Sequence, residues 1–167
     1  KTYRPTLASR RFMTTLPYRE LLSGDTPHKA LMKSKKNQAG RNGAGRITVR
    51  HQGGGHKRRL RDVDFIYNKK DIPARVETVE YDPYRSAFIA LALYQDGERR
   101  YHIVPKEVAV GSSFIVSAKA PLAPGNRLPL GAIPVGTFVY NIELRPGAGS
   151  VLVRSAGTAA EVVAHDA

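Results

Sequence analysis

The apolar residues divide the chain into three stretches of different character. Over residues 1–39 they are scattered (Tyr3, Leu7, Phe12, Leu16, Tyr18, Leu21, Leu22, Leu31, Met32) among Pro5, Pro17 and Pro27, with no period of 2 or 3.6. Such spacing buries no core of its own and predicts an extended arm that is ordered by a partner, with at most a short helical turn around 18–22. Over residues 40–57 only Arg46-Ile47-Thr48-Val49-Arg50 alternates as a strand would, and loops lie on both sides of it.

From about residue 59 the pattern changes to short strands punctuated by turns. Strands are predicted at 60–67, 75–81, 87–95, 98–104 and 113–117, with turns at 68–73, 82–83, 96–97 and 105–111. Phe88 to Tyr94 is a nearly unbroken apolar run, as a central strand buried on both faces would be. Asp96-Gly97 between strand-rich flanks predicts a type I′ hairpin turn. Five such strands in about sixty residues predict a small barrel.

A Pro/Gly-rich linker at 121–126 leads to a second unit. Within 137–144, Phe138, Tyr140, Ile142 and Leu144 alternate with Val139, Asn141 and Glu143, which predicts a strand with one apolar face. Returning strands are expected at 151–154 and 161–164. Three strands cannot close a barrel with protected edges, so only the first part of a second domain is expected here. The expected division is an arm at 1–58, a barrel at 59–123 and the second unit at 124–167.

Charge sharpens this division. Residues 1–61 hold 16 Lys+Arg against 2 Asp+Glu, whereas residues 62–167 hold 11 against 12. From Asp25 to Asp62 there are eleven cations and no acid between. A solvated face normally mixes both signs, so this one-sidedness points to a polyanion: nucleic acid, bound with counterion release, ahead of an acidic membrane or an acidic protein. With no cysteine there is no disulfide framework and no thiolate metal site. No apolar run approaches the roughly 20 residues of a membrane span. Ser9-Arg10-Arg11-Phe12-Met13 is followed by Thr14, Thr15, Pro17, Arg19 and Glu20, not by the apolar stretch of a twin-arginine export signal.

The richest chemistry lies between Gly40 and Arg61, where glycines alternate with cations. Arg41, Arg46, Arg50, Lys57, Arg58, Arg59 and Arg61 can neutralise phosphates. Gly53, Gly54 and Gly55 read either as a hinge or as a point of close backbone approach. His51 and His56 lack the further ligands a metal needs, so they read as stacking or hydrogen-bonding groups. Residues 40–47 carry the glycine spacing of a phosphate-binding P-loop, but Arg46 and Ile47 replace its lysine and hydroxyl residue. No nucleophile elbow or catalytic constellation is visible, so no enzyme activity and no cofactor is expected. In 82–87 a turn presents Arg85 and Tyr84, and Arg154 ends a strand beside small residues. Each arginine reads as a surface charge or as an RNA contact.

These residues resemble the L2 family of large-subunit ribosomal proteins, in its bacterial or organellar form. The resemblance is carried by Gly40-Arg41-Asn42, Gly45-Arg46-Ile47-Thr48, Arg50-His51, Gly53-Gly54-Gly55-His56-Lys57 and Asp64-Phe65. It continues through Asp82-Pro83 with Arg85-Ser86-Ala87, Asp96-Gly97-Glu98, Pro124-Gly125-Asn126 and Arg154-Ser155-Ala156-Gly157-Thr158. It implies an all-β chain: an OB-type five-stranded barrel, then the first part of an SH3-like barrel, with a basic extended N-terminal arm. It further implies a bacterial cytoplasmic or organellar ribosome, large-subunit ribosomal RNA and neighbouring ribosomal proteins as partners, and the small subunit across the intersubunit face. Roles in assembly and near the peptidyl-transferase centre follow from the same resemblance, with Arg85 and Arg154 as RNA contacts. Where the family has further cations after Asp-Phe, this chain has Ile66 and Tyr67, so a contact there would pass to Lys69 or Lys70. The family's glycine-rich, histidine-containing C-terminal extension is not expected among these residues. The competing reading is a free OB-type single-strand binder, which would need a row of aromatic platforms on one barrel face.

Overall fold

The apolar run near residue 90 becomes strand β4 (Ile89–Tyr94), and the fold is built around it. The computed structural model describes residues 1–24, 26–35 and 37–165. In chain order the strands are β1 (Met32–Ser34), β2 (Arg59–Arg61), β3 (Ala74–Glu80), β4, β5 (Arg99–Ile103), β6 (Ser113–Phe114), β7 (Phe138–Val139), β8 (Ile142–Glu143), β9 (Ser150–Leu152) and β10 (Ala160–Glu161). Strands β5-β4-β3-β6 form one antiparallel sheet, curled into a half-barrel; β1-β2, β8-β9 and β7-β10 form separate antiparallel pairs. The all-β expectation holds. The only α-helix among the described residues is the single turn α1 (Tyr18–Leu21), where the sequence pattern places it.

β4 is apolar on both faces because both are covered. Ala90, Ala92 and Tyr94 join Ala74, Val76, Val79 and Phe114 in the barrel core. Ile89 and Leu91 pack with Tyr101 on the other side, and there Leu31 and Val63 close over them. Leu31 belongs to the expected arm, which therefore does bury surface against the barrel. Tyr18 meets Tyr81 and Phe88 edge-on at 5.7 and 5.9 Å between centroids. The backbone N–H of His28 donates to the Tyr101 hydroxyl at 2.8 Å, and that hydroxyl donates to Glu80 at 2.8 Å. Tyr101 is fully buried, so this relay ties the arm at His28 to β3 and β5.

The expected first barrel strand, 60–67, is not continuous. β2 pairs with β1 in the arm, and Val63 makes only a single parallel bridge to Tyr101. The Asp64 carboxylate explains the break: it accepts the N–H groups of Ile66 and Tyr67 at 2.8 and 3.1 Å, and Tyr67 turns to φ 54°. A local side-chain acceptor has replaced the ladder. The hairpin at Asp96-Gly97 also differs from a type I′ turn. Gly97 has φ 84°, but Asp96 is not among the residues of positive φ. With Gly97 N–H donating to Tyr94 and Tyr94 N–H to Glu98, both at 2.9 Å, it is a type I turn closed by a glycine bulge.

The expected strand 137–144 breaks at Asn141, which has φ 55°. The alternation is lost with it: Phe138 is 71% exposed and Leu144 is exposed, while Asn141 is buried. Asn141 donates from Nδ2 to the buried Tyr67 hydroxyl at 2.9 Å, across the junction between the two units. Arg127 stacks on Tyr67 at 4.5 Å and donates to the Asn141 carbonyl, Ser150 Oγ and Glu143 at 3.2, 2.8 and 3.0 Å. This polar chain is what orients the second unit.

Candidate nucleic-acid interface

The turn after β3 is built by Asp82. Its carboxylate accepts the Tyr84 N–H at 3.0 Å, the Arg85 N–H donates to its carbonyl at 3.2 Å, and its fully buried side chain pairs with the Arg85 guanidinium. Arg85 is thereby held over the Phe65 ring, 5.3 Å from the centroid. Arg154, from the second unit, lies over the same ring at 4.6 Å. The two segments touch directly, since Ala156 N–H donates to Ser86 Oγ at 3.1 Å. Close approach of backbone makes this possible: Ser150 N–H donates to the Phe65 carbonyl at 2.8 Å, and a Cβ on Gly149 (φ 88°) would lie 3.2 Å from that oxygen. Two arginines 69 positions apart are thus gathered on one aromatic plane at the junction of the units.

Beside them, Tyr84 carries Arg58 at 4.8 Å and Lys35 at 5.5 Å over its ring, and Arg58 donates to the Pro83 carbonyl at 3.3 Å. The arm and the Asp82–Arg85 turn therefore share one basic surface. Phe65 and Lys35 are absent from the sequence-derived set. An aromatic at a strand position reads as core, and only its place beside Asp64, whose carboxylate turns the chain, marks Phe65 as different.

The arm from residue 41 to 59 is exposed throughout. It forms no strand at 46–50; a single bridge joins Arg41 to Ile47, and Asn42 Oδ1 accepts the N–H groups of Ala44 and Arg46 at 3.1 and 3.0 Å, making a compact loop. Gly40 is required within that loop, because a Cβ there would stand 2.2 Å from the Val49 carbonyl oxygen. Gly54 and Gly55 are different: both have positive φ, yet a Cβ on either would meet nothing within 4 Å. Gly53 instead packs on Ala39. Arg46, Arg50, His51, His56, Lys57 and Arg59 are exposed, and among the described residues none of the cations from Arg41 to Arg61 pairs with a carboxylate; Lys33, outside that span, pairs with Asp62 at 2.7 Å. Arg41 and Arg61 also donate to nearby carbonyls, of Ala39 and Arg59 at 3.4 and 2.8 Å, and Arg61 is the half-buried one. No group of three or more potential metal ligands occurs among the described residues.

Lys69 is placed elsewhere. It pairs with Asp96 and Glu98, lies 5.0 Å over Tyr94, and its side chain is only 10% exposed. Next to it Arg100 bonds Asp64 at 2.8 Å and Glu98 at 2.6 Å. Burial alone would raise the Asp64 carboxyl, but Arg100 and the N–H groups of Tyr67 and Ile66 outweigh it and hold the group below the usual carboxylate range. His102, stacked against Tyr67 and bonded to the Tyr94 hydroxyl at 2.9 Å, is pushed down to about 4 by burial and is neutral in the core.

Two family matches cover most of the chain. Residues 28–117 match Ribosomal Proteins L2, RNA binding N-terminal domain, and residues 123–167 match Ribosomal Proteins L2, C-terminal domain. The chain belongs to the ribosomal protein L2 family. It is accordingly a structural, RNA-binding protein of the large ribosomal subunit and not an enzyme. The L2 N-terminal match begins within the arm and takes in β1, in keeping with the packing of Leu31 on β4. It also spans the loop at 40–49, which among the described residues is not directly preceded by a strand and is not followed by the helix a P-loop requires.

Proposed function

We propose that this chain binds large-subunit ribosomal RNA over one continuous surface, formed by Arg85 and Arg154 on Phe65, by Arg58 beside Tyr84, and by the exposed arm cations Arg41, Arg46, Arg50, Lys57 and Arg59. The observation that carries this reading is the convergence of two distant arginines on one ring. A guanidinium stacked on an aromatic is oriented in advance, so little freedom is lost when it forks a phosphate or stacks on a base. His51, Gly54, Gly55 and His56 supply a stretch where RNA can approach the backbone closely. The two β units, 59–123 and 124–167, hold this surface in position. In the same reading the chain supports assembly of the subunit, its association with the small subunit, and the surroundings of the peptidyl-transferase centre, among neighbouring ribosomal proteins. The single-strand binder is not favoured, because Tyr67 and Tyr101 are buried and Tyr84 is covered by cations of its own chain.

The test is binding of the chain to large-subunit RNA and to random single strands at equal salt. The large-subunit RNA is expected to bind more tightly, and Arg85→Ala or Arg154→Ala to weaken that binding about 10-fold each. The double variant should fall short of the product of the two, because both act through Phe65. Equal affinity for the two RNAs, or variants that bind like the parent, would overturn the assignment.

A further inference from the structure

The first sixteen residues lie outside both family matches and form a closed loop of their own. Thr2 and Thr14 make an antiparallel bridge, Thr15 N–H donates to the Lys1 carbonyl at 3.0 Å, and Thr15 Oγ1 donates to the Tyr3 hydroxyl at 3.2 Å. Inside it the 3-10 turn Ala8–Arg10 leads to Phe12, which is bracketed by the Met13 N–H donating to the Arg10 carbonyl at 3.2 Å. Phe12 is 89% exposed, the most exposed aromatic among the described residues. The other aromatic of the loop, Tyr3, already has Lys1 and Arg10 over its ring at 5.5 and 6.0 Å. Residues 1–19 hold five cations and no acid, so the ring is offered in a positive field. Phe138, also well exposed, lies in the half of the chain that carries no excess of cations.

We infer that this loop is a base-stacking site: Phe12 receives an unpaired RNA base on its ring, and Arg10 and Arg11 take the phosphates on either side. The inference rests on the RNA-binding reading above and adds a second point of attachment to it. An exposed phenyl ring is unfavourable in water and gains by covering the π-face of any base, while the closed loop has already lost most of its conformational freedom. Folded RNA offers such a base wherever a loop or bulge leaves one unstacked.

The chain contains no tryptophan, so Phe12→Trp introduces a single fluorophore at the site. Its emission should be quenched when large-subunit RNA binds, with affinity kept. Phe12→Ala and Phe12→Leu should both weaken binding, by about 5- to 100-fold for alanine. Leucine that binds like phenylalanine would mean an apolar pocket, on protein or RNA, in place of a stacked base, and would overturn the inference. So would unquenched emission, or alanine without effect. If the unaltered chain itself fails to prefer large-subunit RNA, the parent reading falls; if it shows the preference and only the Phe12 results are negative, the stacking site alone is lost.

Discussion

The molecule holds two populations of cations that differ in what sits beside them. In the barrel and its junction, Lys69, Arg85, Arg99, Arg100 and Arg127 each meet at least one carboxylate, and most are half-buried or better. In the arm, Arg46, Arg50, Lys57 and Arg59 are exposed, and no carboxylate of the described residues reaches them. The first group spends its charge inside the fold, where a partner must balance it, and the second leaves its charge for a partner outside. Arg85 belongs to both. Asp82 holds it in place, while its side chain, stacked on Phe65 beside Arg154, stays partly exposed. Counting cations would therefore overstate the RNA-binding surface; pairing decides which ones count.

The contrast breaks most visibly if arm cations are removed. Replacing Arg50, Lys57 and Arg59 by alanine together should lower the salt slope of RNA binding by about 3 and the affinity near physiological salt by about 100-fold, leaving the unfolding midpoint unchanged. An unaltered slope would mean that these side chains do not meet phosphate. The opposite behaviour is expected of Arg100→Ala, which strands the half-buried Asp64 carboxylate. Denaturant titration should show a loss of roughly 2 to 4 kcal/mol, while the salt slope stays as it was. Acid sharpens the same contrast more gently. His102 is held at about 4, below its value of about 6.5 in an unfolded chain, so the unfolded state takes up the proton first and stability falls as pH drops through that window. From pH 7.5 to 5.5 the loss should be roughly 1 kcal/mol and should vanish in His102→Gln. Asp64, held low, contributes no loss there, since its stabilisation fades only below the ordinary carboxylate range.

Much of this was legible in the residues, for reasons that also mark the limit. β4 could be read because burial on both faces leaves a run with no polar break, and the turn before it because Asp-Pro has few conformations. The one-sided charge of the arm needed only counting. What escaped were the features whose cause lies far away in the chain. Tyr67 and Asn141 adopt positive φ in company with a hydrogen bond between their side chains, and neither residue alone announces it. Phe65 falls in a predicted strand, and nothing in its own position shows that Arg85 and Arg154 stack on it. The arm looked independent because Leu31 and Leu22 show no period, yet each packs against the barrel. Asp-Gly suits two turn types, and the backbone bonds of Tyr94 decide between them.

The bond from Asn141 to Tyr67 has a consequence in time. A ribosome makes this chain from its first residue onward, so β3, β4 and β5 emerge before Asn141, Ser150 and Arg154 exist. The half-barrel can then collapse on local hairpins, but Tyr67 has no Asn141 to receive from and Phe65 carries one arginine until the later segment arrives and closes a loop of more than seventy residues. The junction around Phe65 is therefore among the last parts of the protein to come into being, and in the proposed reading a nascent chain would meet RNA first through the arm.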